Sequence, residues 1–159
     1  MTAQILDRVL TCYRIGDPNG AYPIFDATGS KLSPGRWNTA QCPVIYASEH
    51  YSTAMLEKLV HGSGAVPPNL HYIEITIPNG VPYEILNVAN LPDWAHATPT
   101  ASKAYGDGWQ RTKRSLLLIV PSVVARVERN FLINPDHPQF GQLRASMHQP
   151  IWWDDRLFS

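Results

Sequence analysis

The stretch that most constrains this chain is "LLLIVPSVV" at 116–124. An apolar run this short and continuous reads as a central strand buried on both faces, so structure must cover it on either side. Pro121 cannot donate to a ladder, which places the end of the strand near Ser122. A second stretch, "HYIEITIP" (71–78), puts Ile73, Ile75 and Ile77 on one face, as a strand with one buried face requires. Further strands are expected at Val9 to Arg14, in "PVIYAS" (43–48), "YEILNV" (83–88) and "NFLINP" (130–135), and in the closing "PIWWDDRLF".

Helices are fewer. Ser48 is placed to cap a helix from about Glu49 to His61. Its apolar side would carry Tyr51, Met55, Leu56, Leu59 and Val60, and its polar side His50, Thr53, Glu57 and His61. "HPQFGQLRAS" suits a short helical turn, residues 91–115 mix breakers with one or two helices, and "YPIFDATGSKLSPG" reads as a loop. Strands and helices do not alternate regularly, so the expected class is α+β rather than a doubly wound sheet. The 159 residues suit a single domain, 1–159, able to bury a core without disulfides or metal.

Charge narrows the partners. Only 16% of residues are charged, against a usual quarter, and the 13 Lys and Arg balance the 13 Asp and Glu. No basic footprint is left for direct nucleic-acid binding, and so little net charge suits a protein that lives in a complex. No run approaches the length of a membrane span, and "MTAQILDRVL" has no signal-peptide pattern. A cytoplasmic protein is expected, with Cys12 and Cys42 as reduced core thiols.

The chemistry-bearing residues are scattered. Arg14 ends a strand, and Arg36 sits between Gly35 and Trp37 in a turn. A guanidinium fork suits a pyrophosphate, but it equally pairs with a carboxylate or packs on a tryptophan. Tyr46 at the end of "PVIY" can fill a core or stack on a flat ring. Glu57 is the one acid inside its helix. It is either solvated or placed to stabilise a positive charge developing at a sugar's anomeric carbon. Only one such carboxylate is evident, which does not support a two-carboxylate glycosidase. Ser122 lacks a G-x-S-x-G context. It either bonds local backbone or orients a ligand. The nucleotide loops G-x-G-x-x-G and G-x-x-x-x-G-K-[ST] are absent. The six histidines show no zinc pattern, although "PDHP" and "WWDD" could be drawn as a metal site.

Together the residues carry a resemblance. "YRIG" (13–16), "GRWNTAQCPVIYAS" (35–48), "AMLEKLVH" (54–61), "VPSVV" (120–124), "NFLINPDHPQF" (130–140) and "DDRLF" (154–158) occur in the order of the RES-domain family. That family comprises the toxins of bacterial type II toxin–antitoxin systems with Xre-like antitoxins. The match is weakest over 79–118.

The resemblance implies an ADP-ribosyltransferase-like core, two packed small β-sheets with flanking helices around an NAD+ cleft. It implies a catalytic set of Glu57, Arg36, Tyr46 and Ser122, with Arg14, Arg36, Tyr46 and Ser122 binding NAD+ as co-substrate and no metal. The reaction implied is cleavage of the nicotinamide–ribose bond. ADP-ribose would pass to a protein of nucleotide metabolism or, alternatively, to water or phosphate, which drains the NAD+ pool. The implied partner is an Xre-like helix-turn-helix antitoxin that covers the active site in a heteromeric complex with paired toxins and makes any DNA contact itself. A non-catalytic binding module and a ribonuclease toxin are the competing classes. The second lacks a basic or paired-histidine cleft pattern.

Overall fold

The fold is that of a computed structural model, which describes residues 2–158. The domain expected over 1–159 therefore extends at each end by one residue outside the described residues. In chain order the strands are β1 (Gln4–Ile5), β2 (Leu10–Gly16), β3 (Ile45–Ser48), β4 (His71–Ile77), β5 (Pro82–Ile85), β6 (Leu117–Pro121), β7 (Arg129–Ile133), β8 (Arg144–Ala145) and β9 (Gln149–Pro150). The helices are α1 (Thr28–Leu32), α2 (Tyr51–His61) and α3 (Thr100–Thr112). This is a mixed α and β fold without regular alternation.

The strands join in the order β1-β5-β6-β7-β3-β2-β4-β8, with β9 also on β4. One junction differs from the rest. β3 meets β2 through the single pair Tyr13↔Ser48, whereas β2 and β4 pair along seven residues, from Leu10↔Ile77 to Gly16↔His71. The path therefore folds into two halves there. Cys12, Ile73, Ile75 and Ile77 from one half pack in one core with Ile45, Ala47, Leu117, Ile119, Phe131 and Ile133 from the other. The expected pair of packed sheets is realised as these two halves.

Alternation explains the layers. Leu118, Val120, Leu132 and Val44 point away from that core and pack against Trp37 and Trp109, the latter on α3. This covers the apolar run on its second face, and Leu117, Leu118, Ile119 and Val120 are all buried. On the other half, Ile15 packs with Ala54 of α2 and with Leu70. The strand does end at Pro121, where the missing N–H costs nothing.

Several local expectations are corrected. Ser48 is the last residue of β3 and not a helix cap. The cap is His50, with no side-chain hydrogen bond, and the Ser48 hydroxyl donates to Asn130 Oδ1 instead. The loop before Gly35 contains α1. The tail pairs only at Gln149–Pro150 and ends in a 3₁₀ turn at Asp155–Leu157. β1 arises in a segment where no strand is expected from the sequence.

The faces of α2 also depart in part from expectation. Leu56 and Val60 are exposed, and Thr53 and Ala54 are buried. Of the side read as polar, Thr53 and Glu57 turn inward, while His50 and His61 stay exposed. Periodicity assigns a helix its inner face by hydrophobicity, but here the inner face borders a polar cleft.

Candidate active site

Between the two halves and α2 lies a cleft of about 750 Å³. Arg14, Arg36, Tyr46, Glu57 and Asn130 line it. Four of the five residues expected to form a site thus meet in one place. The fifth, Ser122, is fully buried and reaches the cleft through another side chain.

That side chain is Glu57. Its Oε1 accepts from Ser122 Oγ at 2.8 Å and from Asn130 Nδ2 at 2.7 Å. Asn130 is held in turn, since its Oδ1 accepts from Ser48. Ser122 Oγ also accepts from the Ala125 backbone N–H, which ties the β6–β7 connection to the carboxylate. Two donors on one oxygen fix its direction and leave Oε2 without a hydrogen bond among the described residues. Asn130 was not visible as a site residue from the sequence. It lies in a strand, and only the register that sets it opposite Ser48 and Val120 brings it to Glu57.

Tyr46 holds the turn that carries Arg36. Its hydroxyl donates to Asn38 Oδ1 at 2.7 Å and accepts from Trp37 N–H at 3.0 Å. Burial is the main cause that pushes its pKa up, so it remains a neutral phenol. Asn38, fully buried, also accepts from Gly35 N–H. Lys103 of α3 donates to the Gly35 and Asn38 carbonyls, and Asp107 accepts from Thr39. The turn is clamped on every side. Gly106 permits the approach of α3, because a Cβ there would stand 1.7 Å from the Trp37 carbonyl oxygen.

Arg36 leaves this turn with Nη1 donating to the Trp94 and His96 carbonyls, at 3.1 and 2.7 Å. Arg14 donates through Nε to the Ile24 carbonyl and through Nη1 to that of Tyr46. Burial pulls its pKa down. Both guanidinium groups are thus oriented by carbonyls, and Asp26 acts on Arg14 only at longer range than an ion pair. Arg14, Arg36, Lys58 and Lys103 all line the cleft, and none forms an ion pair with a described residue. Glu57 is the only carboxylate among the lining residues. Four cations that form no ion pair among the described residues thus share one cleft with one carboxylate. Such a cleft attracts an anion and focuses its field there. It fits a pyrophosphate, which guanidinium forks and ammonium groups both bind.

"PDHP" and "WWDD" contribute to no cluster of three ligating side chains among the described residues. The one such cluster is Glu49, His50 and Glu128. Its groups are already engaged, as Arg129 holds Glu49 and Glu128 meets His50 Nδ1. Cys12 and Cys42 are free and buried. No helix among the described residues is long and apolar enough to cross a membrane.

Comparison with known proteins bears on this cleft. The family model described as RES domain matches residues 11–154. The chain is 35% identical over 150 residues to a Sphingobium sp. (strain YBL2) protein named Prs ADP-ribosylating toxin, covering 91% of this chain and 89% of that one. It is 33% identical over 141 residues to a Pseudomonas putida protein named Toxin Res, covering 87% and 95%. Among solved structures, a chain of the M. tuberculosis MbcT–MbcA toxin–antitoxin complex shares the fold, with a TM-score of 0.70 at 16% identity over 94% of this chain and 87% of that one.

Proposed function

The chain belongs to the RES domain family, and we propose that it is the toxin of a bacterial toxin–antitoxin pair that cleaves NAD+ and transfers ADP-ribose to a protein. The observation that carries this reading is the single carboxylate, Glu57, fixed by Ser122 and Asn130 in a cleft that also holds Arg14, Arg36, Lys58 and Lys103, none of them in an ion pair with a described residue.

The roles follow from charge. Arg14 and Arg36 hold the pyrophosphate. The nicotinamide–ribose bond breaks with its electron pair passing to nicotinamide, which leaves neutral. Positive charge then develops on the ribose at C1′. Glu57 stabilises that charge and binds a ribose hydroxyl. Ser122 and Asn130 pre-orient its carboxylate, so little reorganisation is needed as the charge forms. Ser122 therefore acts on the ribose through Glu57. The Tyr46 ring forms one wall for the nicotinamide side while its hydroxyl holds the Arg36 turn. A nucleophile of the acceptor then adds at C1′ and loses its proton. Every contribution is electrostatic or positional, so no metal and no covalent enzyme intermediate enters.

Toxicity requires control, and an Xre-like antitoxin covering the cleft supplies it. Val60 and Val124 line the cleft and are exposed, as are the neighbouring Leu56 and Val127. An apolar rim around a polar site suits a covering protein partner.

The test is incubation of the purified chain with NAD+, with and without cell lysate. Nicotinamide release with ADP-ribose bound to a lysate protein supports transfer. Free ADP-ribose or its 1-phosphate as the only product would assign the acceptor to water or phosphate. No nicotinamide release under either condition would overturn the enzymatic reading.

A further inference from the structure

Lys58 follows Glu57 on α2 and lines the same cleft. It is half-buried, yet its ammonium forms no hydrogen bond or ion pair with any described residue. Burial and the neighbouring Arg14 charge both lower its pKa. Folding alone gives such an arrangement no reason to exist, since a partly desolvated ammonium near a guanidinium, with no ion partner of its own among the described residues, is destabilising. Arg14 shows the same gap. Its Nε and Nη1 are bound to carbonyls, and its Nη2 has no partner among the described residues.

We propose that Lys58 and Arg14 together form a phosphate subsite, and that its occupant is the pyrophosphate of the bound dinucleotide. This rests on the NAD+ reading above and assigns a residue that the expected site set omits and no side-chain hydrogen bond marks. The placement is chemically required. In a dinucleotide the pyrophosphate is joined to C5′ of the same ribose whose C1′ loses nicotinamide. A carboxylate facing C1′ therefore needs its cations within one sugar's length, and Lys58 lines the same cleft as Glu57. Arg36, partly committed to the Trp94 and His96 carbonyls, then supplements this pair in the same cleft. An ammonium bound to phosphate regains in the complex the partner it lacks in the free protein.

The second source of the same chemistry is inorganic phosphate acting as acceptor. Calorimetric titration with ADP-ribose, which keeps the pyrophosphate and is not cleaved at the glycosidic bond, separates the two. Lys58→Met should bind ADP-ribose about tenfold more weakly, the loss of one charge-assisted hydrogen bond, and should raise KM for NAD+ by a similar factor. Lys58→Arg should recover most of that loss. Removing an unpartnered ammonium breaks no contact within the fold, so Lys58→Met should keep or raise the melting temperature. Unchanged ADP-ribose affinity in a folded Lys58→Met would overturn the proposal. The same result, with turnover losing its dependence on inorganic phosphate, would move Lys58 to the acceptor. A wild-type chain that binds ADP-ribose through Lys58 but releases no nicotinamide would keep the subsite and overturn the cleavage reading. A wild-type chain that binds neither NAD+ nor ADP-ribose would overturn both.

Discussion

Ser122 and Glu57, 65 residues apart in the chain, meet at 2.8 Å with the serine hydroxyl donating to Oε1. Asn130 donates to that same oxygen at 2.7 Å. The contact joins the end of the central strand to α2 and sets the direction of the cleft's only carboxylate.

The two donors should therefore be coupled. Ser122→Ala and Asn130→Ala are each expected to lower kcat for nicotinamide release by roughly tenfold, with a smaller change in KM. Because both act on one oxygen, the double variant should lose less than the product of the single losses. Steady-state kinetics on the four proteins measures the coupling. Strict multiplicativity would show that the two side chains act separately.

Tyr46→Phe separates ring from hydroxyl. The variant keeps a flat wall but leaves Trp37 N–H without its acceptor and Asn38 Oδ1 with one of its two donors, Gly35 N–H. A destabilisation of about 1–3 kcal/mol is expected for unmet buried groups, together with a higher KM as the Arg36 turn loosens. Thermal melting and KM check it. Wild-type values for both would reduce Tyr46 to its ring.

How far the site was legible follows from such contacts. Local pattern indicates a turn for Arg36, a strand for Tyr46 and a helix for Glu57, and it is the family resemblance that implies one cleft for all three. Asn130 depends on the β3–β7 register, which sequence periodicity cannot supply. Thr53 and Ala54 show the opposite difficulty. They are buried while Leu56 and Val60 are exposed, because α2 faces a cleft whose donors satisfy a carboxylate. An apolar stripe identifies the inner face only when that face is apolar. The central strand and the alternating one were legible because each is covered by apolar layers, the first on both faces. The fold of one hydrogen-bonded path into two halves rests on the single Tyr13↔Ser48 pair, which leaves no local mark.

Gly106→Ala tests the packing of α3 on the Arg36 turn. Its Cβ would stand 1.7 Å from a backbone oxygen, which cannot yield as a side-chain tip can. The expected cost is at least about 3 kcal/mol, the upper end of ordinary overpacking. Denaturant unfolding measures it. Gly108, where nothing lies within 4 Å of an added Cβ, is the control, and Gly108→Ala should be neutral or slightly stabilising.

Acid should weaken the attachment of α2. Arg129 is the main cause that lowers the pKa of Glu49, which sits just before α2. The pKa of Asp26 is lowered as well, chiefly by its hydrogen bonds with Thr28. In each case the unfolded chain takes up the proton first as pH falls. The stabilisation is complete above the ordinary carboxylate range, about 3.9–4.3, and is lost as pH drops through the lowered folded values. Melting temperature should hold near neutrality and decline below about pH 4. Arg129→Gln should lower the neutral-pH value and flatten the acid decline. An unchanged acid slope in that variant would remove Glu49 from the account.

The most direct measurement is nicotinamide release from NAD+ by Glu57→Gln beside the wild type. The substitution keeps the size of the side chain and removes its charge. Release is expected to fall by about a hundredfold or more, the scale of losing one preorganised electrostatic group, while ADP-ribose affinity stays within a few-fold of wild type. Wild-type release rates in a folded Glu57→Gln would contradict the central role given to this carboxylate.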